Sequence, residues 1–174
     1  MRPGRVGEFH LEHRRHPQSK KTAGGEDWLA TWSIRGPPVR PLGMTIPLWT
    51  LLIASVLPYV WFTISNPLRK REFGTVDNRH PRLQQAQQTA LGARSNAASA
   101  NAFEALAVYA PSVLLAHLNA PDSALAPKLA LAWVALRLGH GLAYLGDKPA
   151  LRTTCFAFAL FCSYGLYLVG ARVL

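Results

Sequence analysis

The sequence predicts an all-α integral membrane protein, a four-helix bundle over residues 44–174. Three features predict it. Four segments, about 46–65, 94–118, 124–145 and 153–172, are apolar over a length able to cross a hydrocarbon core of about 30 Å. Asn119 to Asp122 and Gly146 to Ala150 carry Pro, Asp and Gly as breakers, and connections that short make neighbouring helices antiparallel. The segment 66–93 gathers Arg69, Lys70, Arg71, Arg79 and Arg82 against Glu72 and Asp77, the bias that assigns a loop to the cytoplasmic side.

The first span, Ile46 to Ser65, holds no charge, and Trp49, Tyr59 and Trp61 lie toward its ends, where amphipathic rings prefer the interface. Pro58 falls inside it, a position membrane helices tolerate. The run exceeds a signal-peptide core and no small-residue cleavage site follows it, so it reads as retained. The second segment is polar from Arg94 to Asn101 and apolar from Ala102 to Leu118, and the third runs from Ala124 to Leu145. The fourth is apolar until Arg172. Four crossings put Lys148 and Arg152, in the last turn, on the same side as the basic loop, so two independent charge signals agree.

Net charge is +10, and the first 43 residues contribute eight Lys/Arg against four Asp/Glu. Such a balance suits nucleic acid or an anionic membrane surface. The apolar runs choose the membrane, and because the loop charge already serves topology no nucleic-acid partner is expected. Residues 1–43 show no apolar period and read as a disordered basic tail, or as a mis-called start with Met44 as the true one. Their His10, His13 and His16 could suggest a metal, but a disordered tail is the stronger reading. Cys155 and Cys162 stand seven apart on one helix, about 10 Å, too far for a disulfide and without metal spacing, so they read as small apolar fillers. No metal is expected, and no repeat or broken helix pair points to a transporter.

The polar residues inside the spans carry the chemistry. Arg94 and Asn101 share a face of the second helix, and Asn101 adjoins Glu104. Arg137, His140 and Tyr144 form one stripe on the third, and Arg152 opens the fourth. With alternating helix directions, all lie near one membrane face. A charge at membrane depth costs about 3 kcal/mol and is expected to face the bundle interior, paired or lining a wet cavity. Two readings stay open: a site for a small zwitterionic, multi-carboxylate ligand such as a peptide, or a structural network in which Glu104 neutralises Arg137.

At these residues the chain resembles the MAPEG family, the membrane-associated proteins in eicosanoid and glutathione metabolism, as a bacterial-type member. Arg94 leading Asn101-x2-Glu104, then Arg137-x2-His140-x3-Tyr144 followed by Pro149-x2-Arg152, carry the resemblance. It implies a homotrimer in the lipid bilayer, here the bacterial inner membrane, with the 66–93 loop cytoplasmic. It implies glutathione as cosubstrate, held between subunits by residues matching Arg94, Asn101, Glu104, Arg137, His140, Tyr144 and Arg152, and a small lipophilic electrophile or hydroperoxide as the other substrate. Tyr144 and Arg152 would be catalytic, favouring the thiolate. Glutathione-using relatives tend to carry Arg at the positions of Ala97 and Ala100, and His, Gln or an aromatic residue at that of Ser99. The alternative is therefore a non-catalytic MAPEG-fold membrane protein, a scaffold or ligand binder without glutathione chemistry.

Overall fold

The computed structural model describes residues 43–174, and the expectations for residues 1–42 lie outside the described residues. Five helices and no strand make up the described chain: α1 (Ile46–Phe73), α2 (Pro81–Gln87), α3 (Ala90–Asn119), α4 (Leu125–Leu145) and α5 (Pro149–Gly170). At 1.5 Å per residue α1 and α3 extend about 42 and 45 Å, well beyond a hydrocarbon core, while α4 and α5 extend about 32 and 33 Å.

Each predicted segment is a helix, with two differences. The 66–93 segment is mostly helical: α1 runs on through Pro67 to Phe73, α2 fills the middle, and α3 begins at Ala90. The apolar run ends near Ser65, but Leu68, Arg69, Lys70, Arg71 and Glu72 are good helix formers and carry α1 past the expected membrane boundary. The fourth segment starts earlier, with Pro149 in the first turn, where its missing N–H costs nothing.

Three helices, α1, α3 and α5, are long and apolar enough to cross a membrane. The predicted third span is α4, and it falls outside that set; Lys128, Arg137 and His140 interrupt its apolar sequence. Exposed Val56, Val60, Leu131, Leu138, Phe158 and Phe161 give the outside an apolar surface, as a lipid-facing surface requires.

Helix α1 packs mainly on α3, and α4 on α5, while α3 touches all four other helices. Small residues set the close approaches. A Cβ on Gly141 would strike the Trp61 indole, and one on Gly170 would lie 2.8 Å from the main-chain nitrogen of Ala116. Buried serines tie α3 to α1 through main-chain oxygens: Ser95 donates to Trp61 and Ser99 to Pro58, the latter at 2.8 Å. Helix α4 ends with Asp147 at φ 55°, and the Lys148 N–H returns to the Ala143 carbonyl at 2.9 Å, the turn that closes many helices and sends α5 back alongside α4.

Candidate functional site

Arg137 sits two-thirds along α4 with only 3% of its surface exposed. Its Nη2 donates to the Asn101 main-chain carbonyl at 3.0 Å and to Asn101 Oδ1 at 2.9 Å. Its Nη1 is buried without a hydrogen-bond partner among the described residues. One turn earlier on α4, Trp133 places its ring 6.0 Å from the guanidinium carbon and stacks on Tyr109 of α3 at 3.7 Å and 9°. Thr50 spends its proton on the Pro47 carbonyl at 2.7 Å, so the Tyr109 hydroxyl is the donor in their 2.7 Å bond. A continuous stack thus runs from α1 through α3 to the Arg137 guanidinium.

The other half of the cluster lies toward the α4–α5 turn. His140 is buried and meets Tyr144 edge to face at 5.1 Å and the Phe156 ring at 6.3 Å. The Arg152 guanidinium lies 4.6 Å from the centre of the Tyr144 ring, a cation–π contact that leaves the Tyr144 hydroxyl without a partner among the described residues. Asn101, His140, Tyr144, Arg152, Thr153 and Phe156 line a cavity of about 200 Å³. Glu104, Trp133, Arg137 and Phe156 help line a second, of about 180 Å³. Phe156 belongs to both walls, so the two cavities adjoin.

The structure brings together six of the seven predicted residues. Asn101 and Arg137 are hydrogen-bonded, Tyr144 meets His140 edge to face and Arg152 over its ring, and Glu104 shares a wall with Arg137. Glu104 itself is exposed on the surface of α3, and no ion pair joins it to Arg137, whose partner is Asn101. Arg94 stands apart: it pairs at 3.6 Å with Asp147 in the α4–α5 turn and lines neither cavity. Trp133 and Phe156 were missing from the sequence reading. Helical spacing could have found them, since they stand four residues before Arg137 and four after Arg152.

Apolar helices of membrane-crossing length around a buried polar cluster near one end define an integral membrane protein of the helical-bundle class. The model of the MAPEG family matches residues 46–172, nearly the whole described chain, and the chain belongs to that family. Neither the curated proteins nor the solved structures include a match to it.

Proposed function

We propose that the chain is a membrane-bound glutathione-dependent transferase or peroxidase of MAPEG type, acting on lipophilic electrophiles or hydroperoxides. Family membership supports the class, and the half-used Arg137 carries the reading. A purely structural network would satisfy both terminal nitrogens of a buried guanidinium. Here one is held by Asn101 and the other has no partner among the described residues.

The donor set fits a tripeptide bearing two carboxylates, an ammonium and a thiol. Arg137 and Arg152 suit the carboxylates, Asn101 can donate as well as accept, and Glu104 suits the ammonium. Bound glutathione supplies the thiolate nucleophile. The Tyr144 hydroxyl donates a hydrogen bond at the sulfur, and Arg152, stacked on the Tyr144 ring, both orients that ring and adds positive charge beside the thiol. Each cavity alone is smaller than the roughly 300 Å³ at which ligand pockets begin, which is consistent with a site completed by a second subunit.

Two points of architecture go with this reading. Helix α4 is the fourth span: its length of about 32 Å matches the core, Arg137 and His140 turn inward, and Lys128 lies in its first turn, within reach of the interface. The protein is a homotrimer, in which exposed Glu104 meets a neighbouring copy rather than lipid tails. The membrane is the bacterial inner membrane, with the connection between α1 and α3 in the cytoplasm.

A second reading, a non-catalytic binder or scaffold on the same fold, rests on Ala97 and Ala100, which leave the α3 wall short of two cations. Purified full-length protein incubated with glutathione and a hydrophobic electrophile, and separately with a lipid hydroperoxide, distinguishes them. Turnover of either supports the enzyme. Glutathione binding without turnover favours the binder.

A further inference from the structure

At the opposite end of the bundle from Arg137 lies a third cavity, of about 190 Å³, lined by Thr45, Pro47, His117, Ala120, Ser123 and Ala126 among others. Eleven residues of α4 separate Ala126 from Arg137, about 17 Å along the helix, so this cavity is distinct from the glutathione site. His117 is 7% exposed, and its Nε2 is buried with no hydrogen-bond partner among the described residues. Its Nδ1 lies 3.2 Å from the Thr45 hydroxyl.

Two helix N-termini meet the same cavity. Thr45 is the residue that should cap α1, yet no side chain caps that helix, because its hydroxyl turns to His117. Pro47 and Pro127 supply no N–H in the first turns of α1 and α4. Ser123 Oγ already accepts the Leu125 and Ala126 N–H groups at 3.2 and 3.3 Å. The positive ends of both helix dipoles remain directed at the space. Lys128 and Arg172 add charge at this end, and the C-terminus of α3 and the Asp122 carboxylate oppose it. Trp49, half exposed in the first turn of α1, sets this end at headgroup depth.

The geometry points to a second binding site, for an anionic oxygen group, a phosphate carried either by a lipid headgroup or by a free anion. With the Thr45 hydroxyl as donor to His117 Nδ1, the ring proton is on Nε2, which is then a buried donor at the wall of this cavity. The site is independent of glutathione chemistry and stands or falls without it.

Full-length protein is reconstituted in nanodiscs of phosphatidylcholine alone, of phosphatidylcholine with phosphatidylglycerol, and of phosphatidylcholine with inorganic phosphate added, and thermal unfolding is followed in each. The wild type unfolds at higher temperature in one or both anion-containing arms. A rise with phosphatidylglycerol alone identifies a lipid headgroup, and a rise with inorganic phosphate identifies a free anion. His117→Phe, which keeps a flat ring and removes the donor, weakens the apparent affinity about tenfold or more and loses the rise. Ala120→Leu, which fills the cavity and spares His117, also loses it and carries the readout if His117→Phe does not fold. A wild type that responds in neither arm, or a rise kept by Ala120→Leu or by folded His117→Phe, overturns the site.

Discussion

Arg137 holds Asn101 at two points, its main-chain carbonyl at 3.0 Å and its Oδ1 at 2.9 Å, across 36 residues of sequence. That grip fixes the guanidinium plane and leaves Nη1 buried without a hydrogen-bond partner among the described residues. Asn101→Ala removes the side-chain half of the grip and frees the guanidinium to turn. The expected result is glutathione affinity lowered about ten- to hundredfold, the range for one hydrogen bond to a charged group, with thermal stability lowered by no more than about 2 kcal/mol. Titration calorimetry and thermal unfolding of the same samples check both.

Tyr144 is held by its ring, and its hydroxyl has no partner among the described residues. Tyr144→Phe keeps the ring under Arg152 and against His140. Binding of glutathione stays within a few-fold, while kcat for electrophile conjugation falls about a hundredfold, as for loss of one donor aimed at developing negative charge. A matching fall in affinity would assign Tyr144 to binding instead.

Gly141 admits the Trp61 indole, and the space for a Cβ there is already occupied by the ring. Gly141→Ala gains about 1 kcal/mol of helix propensity but overpacks the α1–α4 contact, with an expected net loss of about 1–3 kcal/mol. Gly139→Ala is the control: its Cβ would meet only the Cys155 sulfur, at 3.3 Å. Thermal unfolding in detergent should separate the two variants clearly.

Asp77 Oδ1 accepts the N–H groups of His80 and Arg79, at 3.1 and 2.7 Å, in the turn before α2. These bonds, that from His80 first, hold its carboxyl below the usual aspartate range. A depressed carboxyl contributes order that is complete above the unfolded value, about pH 4, and is lost as pH falls through the folded one. Protection of the Arg79 and His80 amides against hydrogen exchange, corrected for intrinsic rate, should hold at neutral pH and fall away in acid below about pH 4. In Asp77→Asn that step should disappear.

Much of this was legible in the sequence because membrane helices announce themselves by length and apolarity. The helices around 46–65, 94–118, 124–145 and 153–172 all form, and the Arg137, His140 and Tyr144 stripe meets Asn101 and Arg152 as spacing implies. The ends of α1 and α3 were not legible, because hydropathy marks where lipid stops and not where backbone hydrogen bonding stops. Helical phase puts Arg94 and Asn101 on one face of α3, but phase alone does not choose the partner of Arg94. Its partner is set by the Asp147 turn, where an Asp in the left-handed region carries its carboxylate to within 3.6 Å of the Arg94 guanidinium. The exposed Glu104 beside an unpaired Arg137 nitrogen could not be foreseen either, since which partner a buried arginine takes depends on packing rather than on spacing.

The central claim is that Arg137 and its neighbours bind glutathione, and the most direct measurement is a calorimetric titration of glutathione into purified full-length protein, with thiolate absorbance followed in parallel. The account predicts saturable binding with thiolate formation in the wild type and neither in Arg137→Ala. An absence of binding at millimolar glutathione, or binding that Arg137→Ala leaves unchanged, would contradict it.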